Sequence, residues 1–313
     1  MTKKIGIYTP YRKGGPWYWG QKLARMVNQY SNDFLALHSH RLVELLASPL
    51  IARGDIIHSV NPITFRAWSK PYVLTIKGNY LQEKDNPLSR FYPAATKAAD
   101  IVTVPSHYLK KSLGLKNAKV IPNAIEIDQF KPVKLKPNTN RPINILTVTK
   151  FYFQDKAEGV LEIIKALAIL KQKGYKITYT VLGAGQFLES IKAKASSYSL
   201  PINFAGFQNP QDYFPETDIF AYYSPHDNMP NAVMEAMAAG LPVISNPIGA
   251  VPEIITSRQE GVLINDNYAL ELERLINDVK LRRYYGQNAR KRIINDFSWE
   301  SIIKDWLNLY EKL

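Results

Sequence analysis

Short Ile- and Val-rich runs alternate with helical patterns along most of this chain, and that alternation constrains its fold more than any other feature. In the first half KIGIY, DFLAL, DIIHSV, YVLTI, IVTV and KVIP are interleaved with the amphipathic QKLARMVNQY and RLVELLASPLIA. Apolar strands separated by connections of crossover length predict a parallel sheet covered on both faces. The pattern stops after Phe130 in FKPVKLKPNTNRP, where three prolines and a cluster of Lys and Asn predict a linker. It resumes with INILTVT, EGVLEIIKALAILKQK, KITYTVLG, a helix from near Phe187, INFAG, DIFAYY, NAVMEAMAAG and PVIS, and after Asn265 the chain reads as helical. The expectation is an α/β protein: a Rossmann-like domain over residues 1–135, a second doubly wound domain over 136–298, and a terminal helix over 299–313, capped by Ser298 and packing back toward the first domain. A length of 313 residues suits two cores. Open α/β sheets place ligands at the carboxyl ends of their strands, so a cleft that the two domains face is the expected site.

Charge adds a second constraint. Residues 1–135 hold 20 Lys and Arg against 8 Asp and Glu, whereas residues 136–313 hold 20 against 19. So lopsided a field attracts anions such as phospholipid headgroups, nucleic acid or phosphorylated substrates. The absence of cysteine excludes a disulfide framework, a thiolate metal site and a cysteine nucleophile, and fits a reducing compartment. The five histidines lack HExxH spacing and no Asp-x-Asp occurs, so no metal and no other cofactor is expected. MTKKIGIYTPYRK lacks a signal peptide's apolar stretch, and the uncharged-looking run from Ala236 to Pro252 is broken by three prolines. A cytoplasmic protein is expected, with any membrane contact peripheral.

The segment from Ser224 to Ile255, SPHDNMPNAVMEAMAAGLPVISNPIGAVPEII, carries the chemistry. A helix should begin near Asn231, after Pro230, leaving the amides around Ala232 and Val233 to form an anion site suited to a diphosphate. Glu235 lies one turn, roughly 6 Å, beyond Asn231 on the same face. A carboxylate there repels phosphate but accepts hydrogen bonds from hydroxyls such as those of a ribose. Asp227, in the preceding loop, can reach a second polyhydroxyl group. Taken without their neighbours, both acids would pass as solvated charges near a helix start.

As a whole, DNMPNAVMEAMAAGLPVISNPIGAVPEI resembles the signature of the retaining GT-B glycosyltransferases of group 1, or family 4: an acid, seven residues, a Glu, then EAMAxGxPVI and a Gly-x-x-Pro-Glu turn. INILTVTKFYFQDKAEGV, DIIHSVNP, AADIVTVPSHYLKKSL, VIPNAIEIDQF and FSWESIIKDWLNLYEKL are similar to other parts of that family, so the resemblance spans nearly the whole chain. It implies the GT-B fold and transfer of a sugar from a nucleoside-diphosphate sugar to an acceptor hydroxyl, without a side-chain nucleophile. By the same resemblance, Asp227 holds hydroxyls of the donor sugar and Glu235 the ribose, while Asn228, Met229, Pro230, Asn231 and Ala232 bring the loop and helix start to the diphosphate. Lys150 and Lys156 match the basic pair that neutralises the leaving diphosphate, although an insertion separates Lys156 from Gly159. Fixed cations aimed at developing negative charge stabilise the transition state more than the ground state.

Gly14 and Gly15 match the family's glycine loop, with Trp17, Tyr18 and Trp19 beside them as candidate contacts to a sugar or lipid headgroup. Gly183, in a lone Gly-x-Gly after a strand, and Phe207 lie beside the nucleotide in the resemblance. Where many members carry a His after the strand YVLTI, this chain has Lys77. The expected partners are a nucleoside-diphosphate sugar, an acceptor glycan or lipid-linked sugar, and an anionic membrane surface met through residues 1–135, with no nucleic acid. Two alternatives stay open: a nucleotide-sugar epimerase or hydrolase of the same fold, and a basic nucleic-acid-binding protein.

Overall fold

A computed structural model of the chain describes residues 2–9, 15–39, 54–64, 70–82, 87–137 and 141–313. The chain divides into two compact units, Met1–Ala124 with Trp299–Leu313, and Ile125–Ser298. Gly14 and the expected helix RLVELLASPLIA lie outside the described residues.

In the first unit β1 (Lys3–Tyr8), α1 (Gly15–Tyr30), β2 (Phe34–Ser39), β3 (Ile56–Ser59), β4 (Tyr72–Thr75), α2 (Tyr92–Ala98), β5 (Ile101–Val104), α3 (His107–Ser112) and β6 (Lys119–Val120) follow one another. The strands form a six-stranded sheet in the order β2-β1-β3-β4-β5-β6. Every pairing is parallel, with Ile5 opposite Ala36 on one side and Ile56 on the other. Strands β3 and β4 are buried along their whole length, as strands covered on both faces must be. Helix α1 buries Gly20, Leu23, Ala24 and Val27, a stripe at helical spacing.

The second unit runs β7 (Ile143–Val148), α4 (Gln154–Gln172), β8 (Ile177–Leu182), α5 (Leu188–Ala195), β9 (Ile202–Gly206), β10 (Ile219–Tyr222), α6 (Asn231–Ala238), β11 (Val243–Ser245), α7 (Val251–Ile254), β12 (Gly261–Leu263), α8 (Tyr268–Asn277) and α9 (Val279–Asp296). Its parallel sheet has the order β12-β11-β10-β7-β8-β9. From β7 the chain winds outward through β8 and β9, then crosses back to β10 and winds the other way, so the strand order reverses between β7 and β10. At the amino edge of these two strands the buried Asp218 receives both Nη atoms of Arg141, at 2.6 and 2.7 Å, and the amide of Asn144 at 2.9 Å. Residues 125–135, expected with the first domain, belong to this second unit. Their backbone is tied there: Ile125 donates to the carbonyl of Phe297 and Val133 to that of Ala239, both at 2.8 Å.

The terminal helix α10 (Trp299–Glu311) returns to the first unit. It buries Trp299, Ile302, Ile303, Trp306, Leu309 and Tyr310 in the cluster that contains Ile5, Ile7, Leu23 and Val73.

Candidate functional site

In a doubly wound sheet the loops on either side of a strand-order reversal part and leave a crevice at the carboxyl edge. In the second unit these are the loop 149–153 after β7 and the loop 223–230 after β10. Helix α4 continues from the first loop. Its Gly159 sits so close to β10 that an added Cβ would lie 2.2 Å from the carbonyl oxygen of Tyr223.

Across this crevice Lys156 Nζ meets Asp227 Oδ2 at 2.6 Å, so two residues expected to act on one donor are in direct contact. Both are mostly covered, their side chains 22% and 13% exposed, which strengthens the pair over a surface one. The hydroxyl of Tyr222 donates to the same Oδ2, and Asn228 N donates to Oδ1 at 2.8 Å. A carboxylate has about four lone-pair sites; three are filled, and one on Oδ1 is open to a further donor such as a sugar hydroxyl. Burial and the neighbouring Asp227 charge push the Tyr222 phenol well above its ordinary range, keeping it a proton donor. Gly249 fixes the other side of the loop. Its φ is +58°, and a Cβ there would fall 2.0 Å from the Asp227 carbonyl oxygen. Beside it Ala250 N donates to the Asn228 carbonyl at 2.6 Å.

Helix α6 starts directly after this loop. Pro230 is its N-cap, with no side-chain cap hydrogen bond, and Asn231 is the first helical residue. The first turn holds no acidic residue, leaving the positive end of the helix unopposed from within that turn. Met229 is buried, Ala232 and Glu235 are partly buried, and Asn231 is exposed.

Lys150 is exposed in the loop after β7, and Phe207, after β9, is 85% exposed. Gly183, at φ +146°, packs against that same β7 loop: an added Cβ would lie 2.0 Å from the carbonyl oxygen of Thr149, the residue before Lys150. The amide of Phe151 donates to Ala184 O at 3.0 Å, completing the contact. These groups thus come from the loops after β7, β8, β9 and β10, the end of β10 and the helices α4 and α6 that follow, at the carboxyl edge of one sheet. Sequence reasoning passed over Tyr222 and Gly159 as site residues. Tyr222 carries no local signal, being one aromatic in a buried strand, whereas Gly249 was visible inside the Gly-x-x-Pro-Glu turn.

The first unit contributes a different environment. Lys77 follows β4, is half-buried, donates to Asn123 Oδ1 at 2.8 Å, and lies 4.1 Å from the centre of the Trp19 ring. Burial pushes its pKa down to about 7. The fully buried His58 Nδ1 and Nε2 lie 2.6 Å from Tyr310 Oη and Thr75 Oγ1, and burial together with the Lys77 charge pushes its pKa down to about 3. Gly15 opens α1 with nothing within 4 Å of an added Cβ. Of the aromatic cluster, Trp17 packs on His38 and Trp19 on His58 and Trp306, while Tyr18 is exposed.

The family described as glycosyl transferases group 1 matches residues 135–292, half of the chain, and the chain belongs to that family. The matched span contains the crevice, its acids and its lysines. An uncharacterised glycosyltransferase of Methanocaldococcus jannaschii is 28% identical over 74% of this chain and 64% of its own length. The amylovoran biosynthesis glycosyltransferase AmsK of Erwinia amylovora is 31% identical over 60% of this chain and 49% of its own. The chain therefore spans less than two thirds of either relative. Among solved structures, the sucrose-phosphate synthase of Thermosynechococcus elongatus aligns with a TM-score of 0.74 at 17% identity, covering 99% of this chain and 98% of that one. HepE of Anabaena, in complex with UDP-glucose, aligns with the same score at 18% identity, covering 99% and 100%. These likenesses establish the fold, two doubly wound Rossmann-like domains of the GT-B type.

Proposed function

We propose that this chain is a retaining glycosyltransferase that moves a sugar from a nucleoside-diphosphate sugar to an acceptor hydroxyl. The observation that carries the reading is the Lys156–Asp227 pair at the strand-order reversal of the second unit, beside the start of α6. An anionic group and a polyhydroxyl group bound side by side find there the cation, the helix amides and the carboxylate lone pair that each requires.

In this reading the amides of Asn231, Ala232 and Val233 and the side chains of Lys150 and Lys156 hold the diphosphate. Glu235 accepts from the ribose and Asp227 from the sugar, with Gly183 and Phe207 beside the nucleotide. The acceptor oxygen bonds to the anomeric carbon on the face that the phosphate leaves. The carbon–phosphate-oxygen bond breaks with its electron pair going to the phosphate, and that oxygen takes the acceptor proton. The lysines and amides oppose the charge that develops on the leaving oxygens, where it is greatest in the transition state. Lys77 offers a cation to an anionic acceptor. No metal ion or other cofactor has a part in this account.

The UDP-glucose in the HepE structure and the amylovoran biosynthesis in the name of AmsK support a nucleotide-sugar donor and a glycan acceptor. The first unit, with 20 Lys and Arg against 9 Asp and Glu, suits an anionic membrane surface. Among the described residues no helix is long and apolar enough to cross a membrane.

The test is a panel of nucleoside-diphosphate sugars screened by thermal shift, then turnover with the stabilising donor and the anomeric configuration of the product read by NMR. A product with the donor's configuration is expected. An inverted product would remove the retaining mechanism, and hydrolysis without transfer would favour the hydrolase alternative.

A further inference from the structure

A groove of about 580 Å3 lies on the second unit, away from the crevice described above. It runs between the extended segment 132–135 and helix α9, and Gly240, just before β11, also lines it. Residues that precede a strand lie at the amino edge of the sheet, whereas the candidate site is built from loops at the carboxyl edge.

Lys134, Arg283, Arg290 and Lys291 border this groove, and no Asp or Glu lines it. Both arginines are anchored by carbonyls rather than carboxylates: Arg283 Nη2 donates to Leu135 O at 3.2 Å, and Arg290 Nη1 donates to Phe130 O at 2.8 Å and to Ala238 O. A guanidinium has five N–H donors, so each is held in place with donors to spare, the arrangement that recognises phosphate at low entropic cost. Four like charges around one groove repel each other, and a bound anion relieves that repulsion. The burial that lowers the Arg290 guanidinium's pKa acts in the same sense.

The groove is not only basic. Val133, Leu135 and Ile294 line it too, and Ile294 is 41% exposed. An inorganic anion has no use for apolar surface among cations, but a phosphate that carries a hydrocarbon chain does.

We propose that this groove binds the phosphate headgroup and the first acyl carbons of an anionic phospholipid. The site is separate from the donor crevice and from the basic surface of the first unit, and does not depend on the reading of either.

The experiment titrates the full chain with dihexanoyl phosphatidylglycerol below its micelle concentration, with dihexanoyl phosphocholine and inorganic phosphate as comparators. Arg283→Gln with Lys291→Gln should weaken phosphatidylglycerol binding by about tenfold or more, as expected for two cations near a lipid phosphate. Lys165→Gln with Lys171→Gln, exposed lysines of α4 that do not line the groove, should leave it within about twofold. Should the groove pair melt early, the single exposed Lys134→Gln substitution replaces it, with a loss of about threefold expected. Absent binding, equal losses in the groove and control pairs, or equal affinity for the phosphocholine lipid would each overturn the proposal. Inorganic phosphate binding as tightly as the anionic lipid would reduce the groove to a small-anion site and also overturn it.

Discussion

Asp227 is the residue on which most of the chemistry converges, because Lys156, Tyr222 and its neighbour's amide all point donors at it. Asp227→Asn keeps the shape but loses the charge that Lys156 needs, and turnover should fall by about a hundredfold or more with a smaller loss of nucleotide affinity; a raised KM with kcat unchanged would speak for a binding role alone. In the first unit, Lys77 has a pKa of about 7 against an ordinary 10.5. Between those values the unfolded chain binds a proton that the folded chain does not, so stability rises with pH across that window. Lys77→Met should remove this rise, which urea melts between pH 7 and 10 would detect. His58 behaves alike at lower pH. Its pKa is about 3 rather than 6.5, so stability falls as pH drops through that interval, and His58→Gln should flatten the fall.

At the scale of elements, two glycines set how closely the crevice walls approach. An alanine Cβ at Gly249 would meet the Asp227 carbonyl at 2.0 Å in a left-handed backbone conformation, and one at Gly159 would meet Tyr223 O at 2.2 Å. Each Gly→Ala change should cost about 1–3 kcal/mol in a urea melt and weaken donor binding. Melts and affinities like wild type would mean that these loops yield freely and that the site geometry is soft. Much of this was legible in the sequence. The buried parallel strands announced themselves because apolar runs such as YVLTI and IVTV need cover on both faces, and the Asp227-to-Glu235 segment fixed a loop and helix by its Pro and its spacing. Tyr222 was not legible, since its partnership with Asp227 depends on how a loop folds back over its own strand. Residues 125–135 were misplaced for a related reason: proline and lysine content marks a linker, but the hydrogen bonds from Ile125 and Val133 to residues 297 and 239 are long-range.

Over the whole molecule, the last helix ties the end of the chain to its beginning, since α10 supplies Trp299, Trp306 and Tyr310 to the first unit's core. Trp306→Ala should destabilise that unit by about 3–5 kcal/mol and leave the second unit's unfolding unchanged; a single shifted transition would show instead that the two units unfold together. Charge divides between the units: the first carries the basic excess, and the second carries the crevice proposed for the diphosphate. The most direct test of the central claim is the affinity of nucleoside diphosphates, measured by titration calorimetry for the wild-type chain, Glu235→Gln and Lys150→Met. At least one diphosphate should bind, with each substitution weakening it by about tenfold. Affinities unchanged in both variants would contradict the assignment of this crevice to the donor.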